Sequence, residues 1–357
     1  MNSLCPDQPD DSTTWPFVTV VMPVRNEAAY IDGALGSVLD QDYPRDCYEV
    51  VVSDGMSSDD TQQIAQQLSS GRDVRIIDNP AAIAPTGLNE AIRVAKGDVI
   101  VRVDGHCEVP RDYLRNCVSL LRTHDCEGVG GPIETVGQTV VAKAIAVAMS
   151  SRLGVGGSSF RTVKNHTLWA DTVPFPAYRR EVFHCVGLYD EELVRNQDDE
   201  FNARIRKAGG RLLLSPILRS RYYSRSSLSS LARQYYQYGY WKIRVLQKHP
   251  RQMSPRHFAP GCFLLTLAVL CISATISSTA LFGLIIAVLA YLLLCVSCSA
   301  WAAIETGWRH AALLPFIFAT LHVSYGLGFL AGLWAFRNRW RDRDGKAPRM
   351  VSTTAQS

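Results

Sequence analysis

Along the first 250 or so residues, apolar positions fall into two alternating rhythms, and beyond them the chain turns apolar almost without interruption. Phe17–Met22, Tyr48–Ser53, Val74–Ile77 and Val99–Val103 are short runs rich in β-branched residues with no turn residue inside, which reads as strands buried on both faces of a parallel sheet. Between them the spacing becomes helical: Ile31, Leu35 and Val38-Leu39, a stretch ending near Leu68, and Pro85 to Ala95, closed by Lys96-Gly97. A further helix runs from Arg111 to Arg122, and Gly128 to Pro132 reads as a short strand and turn. Strands and helices alternating at this length imply an α/β fold with right-handed crossovers and ligands at the carboxyl ends of the strands. No GxGxxG follows the first strand, which argues against a dinucleotide site.

From Phe258 to Phe336 three stretches are each long and apolar enough to cross a bilayer: Phe258–Ile276, Ala280–Ala303 and Ala311–Phe336. A mean hydropathy of zero therefore averages a polar domain with a membrane segment. Basic residues flank both ends, Lys248, Arg251 and Arg256 before, and Arg337, Arg339, Arg341 and Arg343 after. The positive-inside tendency puts both flanks in the cytoplasm, whereas three full crossings put them on opposite sides, so either one segment is re-entrant or interfacial or the tail breaks the tendency. Met1 to Trp15 is acidic and polar without an apolar run, so the domain before the membrane segment is expected in the cytoplasm, at the inner membrane of a multi-pass protein. A formal charge of +4 is too slight to argue for nucleic acid, and the ten cysteines read as small core residues in a reducing compartment.

The chemistry is concentrated where strands end. Val99–Val103 stops at Asp104-Gly105-His106: a carboxylate fixed at a strand end, a glycine that lets a ligand approach the backbone, and an imidazole two residues on, facing the same way. These can hold a divalent cation and a diphosphate, or simply end a strand. Asp54 follows the second strand and can accept from the N–H edge of a base; Ser58, Asp59 and Asp60 just after it start a helix. Glu27 belongs to the loop after the first strand. Leu153 to Arg161, rich in glycine and serine, is either a flap over substrate or a flexible connection. Asn196-Gln-Asp-Asp-Glu200 opens a helix that Gly209-Gly210 closes. Its acids complement the helix dipole, with Asn196 as N-cap, yet capping does not require three of them, and a carboxylate there is well placed to take a proton from a hydroxyl. From Ser227 to Leu246, aromatic and apolar residues recur at helical spacing among arginines and lysine, as in a helix lying on a membrane surface or one packed in a core.

Taken in order, Val21-Met-Pro-Val-Arg-Asn-Glu27, Val52 to Thr61, Arg102-Val-Asp-Gly-His106, Asn196 to Arg204 and Gln237-Tyr-Gly-Tyr-Trp-Lys242 resemble the inverting family 2 glycosyltransferases. The Asp-Gly-His and Asn-Gln-Asp-Asp-Glu forms look most like bacterial succinoglycan-type exopolysaccharide glucosyltransferases, which also carry C-terminal membrane helices. The resemblance covers Phe17 to Lys242 and, loosely, the membrane part. It implies a GT-A nucleotide-diphospho-sugar transferase fold with a mostly parallel central sheet, followed by a C-terminal α-helical transmembrane segment. The expected divisions are a disordered tail at 1–16, the catalytic domain at 17–226, an interfacial helix and linker at 227–257, membrane helices at 258–336 and a basic tail at 337–357.

Carried over residue by residue, the resemblance implies that Asp54 recognises the uracil of a UDP-sugar and that Pro23 to Glu27, with Arg25 among them, form the nucleotide pocket. Asp104 matches the first acid of the metal-binding Asp-x-Asp, and Asp198 matches the catalytic base. His106 replaces the second acid, and a nitrogen ligand suits Mn²⁺ better than Mg²⁺ unless His106 touches only the diphosphate. Pro176 stands where relatives tend to have glycine. Gln234 to Tyr238 replaces the Gln-x-x-Arg-Trp of processive synthases, so one sugar per encounter is expected. The implied reaction moves a hexose, glucose first, to a hydroxyl of a polyprenyl-diphosphate-linked oligosaccharide. Rival readings are transfer to a bare polyprenyl phosphate, which needs no base, and a non-catalytic scaffold that binds nucleotide sugars. A two-carboxylate glycosidase would need neither a uridine pocket nor an anchor.

Overall fold

The computed structural model describes residues 15–162, 165–224 and 227–342, so the tail expected at 1–16 lies outside it but for its last two residues, as does the basic tail beyond 342. Strands β1 (Val18–Val24), β2 (Tyr48–Asp54), β3 (Val74–Asp78) and β4 (Val99–Arg102) alternate with helices α1 (Ile31–Leu39), α2 (Thr61–Leu68) and α3 (Ala84–Val94). The four strands pair in parallel in the order β3-β2-β1-β4, with Val24 opposite Asp54 and Val21 opposite Arg102. Because side chains alternate along a strand, Val20, Met22, Val50, Val52 and Val101 fill one layer and Val21, Val51 and Ile100 the other. Both faces are covered, as unbroken apolar runs require.

The chain then passes through β5 (Cys107–Glu108), α4 (Tyr113–Thr123), β6 (Gly128–Gly130), β7 (Ile133–Val136), α5 (Val140–Met149), two single-turn helices α6 (Arg152–Val155) and α7 (Ser159–Thr162), and β8 (Leu168–Trp169). It continues with β9 (Ala177–Arg179), α8 (Arg180–Val186), α9 (Gln197–Lys207), β10 (Leu212–Leu214) and β11 (Ser220–Tyr223). Strand β9 inserts antiparallel between β4 and β6, and β10 and β8 complete an eight-stranded sheet. A small second sheet, β5-β11-β7, brings Tyr222 beside His106, with ring centroids 5.0 Å apart.

Helix α10 (Leu228–Lys248) differs from a helix lying free at a membrane surface: Leu231, Gln234, Tyr235, Ile243, Arg244 and Gln247 on it are buried. Its outer side is covered by α13 (Leu314–Ala335), which follows α11 (Ala259–Ser273) and α12 (Ser278–Thr306). Glycines allow the contact. A Cβ at Gly328 would stand 1.9 Å from the carbonyl oxygen of Tyr236, and one at Gly239 would stand 2.0 Å from that of Tyr325. Of the three expected spans, the first is a 15-residue helix, about 22 Å long and short of a hydrocarbon core of about 30 Å. Among the described residues two helices are long and apolar enough to cross, and α12 is bare over most of its length, exposing Phe282, Leu289, Leu293 and Val296. Cys295 and Cys298, at a CxxC spacing, are free thiols on α12, the first buried.

The far ends of α10 and α13 are tied to the loop between α8 and α9 by charge. Arg244, fully buried, donates from Nε and Nη2 to Glu192 at 2.9 and 3.0 Å, Lys248 reaches Glu192 at 2.9 Å and Asp190, and Arg339 reaches Glu192 and Asp342. Burial pushes the Glu192 carboxyl up, but the hydrogen bonds from Arg244 and Lys248 outweigh it and hold the group down at about 2. Replacing Arg244 by leucine leaves Glu192 and Asp342 short of a partner, and breaking a buried pair costs about 3–5 kcal/mol. A fall in the thermal unfolding midpoint of the detergent-solubilised protein is the expected outcome; an unchanged midpoint would mean the network contributes nothing to docking α10.

Candidate active site

Ile100, Arg102 and Asp104 share one face of β4 and its extension, the face against which α9 packs through Phe201 and Ile205. Arg102, buried, therefore points at the start of α9. Its Nε donates to Asp104 Oδ1 at 2.8 Å, Nη2 to Asp104 Oδ2 at 3.1 Å, and Nη1 to Asp198. One guanidinium thus joins the acid after β4 to an acid 94 positions later. Burial pushes the Asp198 carboxyl up; Arg102 opposes the shift, Asp104 and Asp199 add to it, and the group lies at about 6. Burial also raises Asp104, but Arg102 wins there and holds that carboxyl below its ordinary value.

Both acids line a cavity of about 1320 Å³ that also reaches Pro23, Arg25, Glu27 and His106. His106 Nδ1 lies 2.8 Å from Glu27 Oε1. A carboxylate only accepts, so Nδ1 carries the hydrogen and, in the neutral ring, Nε2 keeps its lone pair. A carboxylate behind an imidazole in this way is the arrangement that orients metal-binding histidines. Among the described residues no three histidine, cysteine or acidic side chains gather as a metal cluster. Asp104 and His106 nonetheless fit a cation that takes most of its ligands from substrate oxygens and water, as nucleotide-bound Mg²⁺ and Mn²⁺ do. At Gly105 between them, a Cβ would stand 2.9 Å from Val24 Cγ1 and 3.0 Å from Glu27 Cγ, so the turn closes on the β1 loop only with a hydrogen there.

Arg25 is exposed and donates to the carbonyl of Ala82 at 2.9 Å. Asp54 is placed differently from the open acceptor expected of it. It is 3% exposed and is not part of the cavity wall, because the Ser57 amide donates to Oδ2 at 3.0 Å and the Ser57 hydroxyl to Oδ1. Asn196 also departs from expectation. It precedes α9 with φ +63° and makes no side-chain cap; its Nδ2 donates to the carbonyl of Tyr238 at 2.9 Å, pinning α9 to α10. Asp199, next to Asp198, pairs with Lys242 of α10. Arg102, Lys242 and Asn79 reach the cavity without having been singled out as site residues. Of the three only Arg102 had a legible cue: a cation two residues before an acid in a strand shares its face.

Residues 19–187 match the family described as glycosyl transferase family 2. The succinoglycan biosynthesis protein ExoA of Rhizobium meliloti (strain 1021) is 31% identical over 339 residues, covering 92% of this chain and 98% of that protein. A dolichyl N-acetyl-alpha-D-glucosaminyl phosphate 3-beta-D-2,3-diacetamido-2,3-dideoxy-beta-D-glucuronosyltransferase of Methanococcus voltae is 30% identical over 241 residues, 65% of this chain and 74% of its own length. Among solved structures, the mannosyltransferase PcManGT from Pyrobaculum calidifontis, in complex with GDP-Man and Mn²⁺, superposes with a TM-score of 0.62 at 22% identity, covering 91% of this chain and 89% of that one. That likeness speaks for the fold, and with the mainly parallel sheet it is the GT-A fold.

The electrostatics of the acid pair can be read directly. Carboxyl ¹³C NMR of aspartate-labelled protein should show one group, lost in Asp198→Asn, titrating near pH 6. Removing the cation in Arg102→Met should move that titration to higher pH, and removing the neighbouring charge in Asp104→Asn should move it lower. Movement in the opposite sense in either variant would show that the Arg102 bridge does not set the site's electrostatics.

Proposed function

The chain belongs to glycosyl transferase family 2, and on that premise we propose that it transfers a hexose, glucose first, from a UDP-sugar to a hydroxyl of a polyprenyl-diphosphate-linked oligosaccharide, with inversion, in bacterial exopolysaccharide assembly. The observation that carries this is the pair of acids in one cavity with opposite displacements: Asp104 held ionised, Asp198 raised to about 6. Groups whose environments push them apart divide acid and base roles between them. Asp198, within reach of physiological pH in both forms, takes the proton from the acceptor hydroxyl as that oxygen attacks the anomeric carbon from the side opposite UDP.

Pro23, Arg25 and Glu27 line the nucleotide end of the cavity. Asp54 reads the uracil: a carboxylate has about four acceptor positions, and Ser57 takes two of them. A divalent cation held by Asp104 and His106, Mn²⁺ before Mg²⁺ given the nitrogen ligand, would neutralise the charge of the departing diphosphate. Glu27 keeps the imidazole turned toward that position, and the Arg102 guanidinium holds Asp104 and Asp198 in register.

The domain divisions follow with two changes. Residues 17–226 form the catalytic unit, α10 packs onto it, and the membrane part centres on α12 and the Trp308–Ala335 stretch, the two segments long and apolar enough to cross, while α11 is too short. Lys248, Arg251 and Arg256 fall on the same side as Arg337, Arg339 and Arg341 when the chain enters and leaves the inner membrane from the cytoplasm. A two-helix excursion does this and three crossings do not.

The test incubates the full chain in membranes with labelled UDP-glucose, Mn²⁺ and a lipid extract containing polyprenyl-diphosphate oligosaccharides. Label should enter the lipid fraction, chelation should stop it, and Asp198→Asn should lower the rate by about 10²-fold or more. With Asp198 as base, kcat/KM should rise with pH through about 6 and level off above it. Activity that survives in Asp198→Asn would favour a phosphate acceptor, and UDP-glucose binding without any transfer would favour a scaffold.

A further inference from the structure

The cavity does not end at the reacting groups. It continues between α11, α12 and α13, where Phe263, Leu294 and Leu321 form an apolar wall, and Arg152, Arg161, Arg233 and Arg256 also line it. We infer that this second compartment is a binding site for the diphosphate head and first isoprene units of the acceptor lipid.

The charge balance carries the argument. Every acid on the cavity wall already has a partner: Glu27 with His106, Asp104 and Asp198 with Arg102, Asp199 with Lys242. Among the described residues, Arg152, Arg161, Arg233 and Arg256 form no ion pair with a carboxylate. Arg161 donates to Thr135 Oγ1 at 3.1 Å and lies over the Tyr222 ring, and Arg256 donates to the carbonyl of Gly156 at 3.3 Å. With Arg25 and Arg195, which among the described residues also line the cavity without a carboxylate partner, these four arginines make a site for polyanions, and guanidinium forks suit phosphate oxygens. The local potential shows in His257, which burial, Lys242 and Arg256 together push down to about 3 against the opposing pull of Asp199.

Position separates this site from the donor. Arg152 and Arg256 belong to the wall where the membrane helices meet the catalytic domain: Leu153, beside Arg152, accepts at its carbonyl from His322 of α13 at 2.8 Å, and Arg256 precedes α11 by three residues. The nucleotide end is made instead by the β1 and β2 loops. Two buried polar atoms facing the same compartment, Gln234 Oε1 and Tyr325 Oη, have no hydrogen-bond partner. Unpaired buried groups of this kind are costly unless a ligand satisfies them. A lipid diphosphate answers both needs, its head meeting the arginines and its chain the apolar wall that opens toward α12.

The proposal rests on a lipid-linked acceptor but is tested by binding alone. The full-length protein in detergent is titrated with geranylgeranyl diphosphate, inorganic diphosphate and UDP, in wild type, in Arg152→Gln/Arg256→Gln and in Tyr325→Phe, with thermal unfolding as a check on folding. The double variant should lose about 10- to 100-fold in geranylgeranyl diphosphate affinity, the scale of two charged hydrogen bonds, while UDP affinity stays within about twofold. Inorganic diphosphate should bind wild type far more weakly than the isoprenoid. Unchanged isoprenoid binding in the double variant, a parallel loss of UDP, or equal binding of inorganic diphosphate overturns the assignment. If the double variant fails to fold, the single arginine variants decide by the same comparison. Isoprenoid binding that behaves as expected without any sugar transfer overturns the catalytic reading and leaves this site standing.

Discussion

The site depends on one buried cation. Arg102 sits on β4 with its side chain 8% exposed and divides its donors between Asp104 and Asp198. Two carboxylates at this depth repel one another, and taking either out of water costs several kcal/mol unless a partner is supplied. The guanidinium supplies one partner to both, so the loop after β4 and the first turn of α9 hold a fixed relation although they are far apart in sequence. The sharing is unequal. Asp104 receives two hydrogen bonds and stays well ionised, while Asp198 receives one and is left close to its titration point.

Much of this was legible in the chain. The parallel strands announced themselves because both of their faces are buried, and that leaves an unbroken apolar run; the ends of those runs located Glu27, Asp54 and Asp104 at one edge of the sheet. Asp198 was visible because its helix opens with more acid than a dipole requires. What stayed hidden depends on pairings distant in sequence. Strand β9 enters the sheet antiparallel, and β5 meets β11 more than 100 residues later; no local pattern encodes either. The bonds from Ser57, three residues on, that occupy part of the Asp54 carboxylate could not be read from its type and position. The membrane segments misled in another way: apolar length alone does not reveal that α11 stops after 15 residues or that part of α13 is covered by α10.

Backbone strain marks the same place. Among the described residues five other than glycine have positive φ, and four of them, Asn26, Ala82, Phe175 and Asn196, line the cavity. Conformations of this kind cost about 1–3 kcal/mol each and persist where surrounding contacts fix them. Those contacts are present here: Asn26 Oδ1 accepts from the Ser58 amide at 2.8 Å, Ala82 accepts from Arg25, the Phe175 carbonyl accepts from the Tyr113 hydroxyl at 2.7 Å, and Asn196 donates to Tyr238. Each strained residue is thus held by a bond to a different element, and the cavity wall is stitched from loops that would separate without them.

The stitching has a direction that links membrane to chemistry. α13 lies against α10 through glycine contacts that leave no room for a side chain, so the two helices move as one body. α10 presents Lys242 to Asp199 and the Tyr238 carbonyl to Asn196, one on each side of Asp198. A shift of α10 therefore reaches Asp198 through two short bonds rather than through a diffuse path, and Asp199 contributes to the elevation of its neighbour. Withdrawing Lys242 from Asp199 leaves an uncompensated negative charge beside Asp198 and raises its carboxyl further. The packing of α10 against α9 thereby bears on the proton affinity of Asp198.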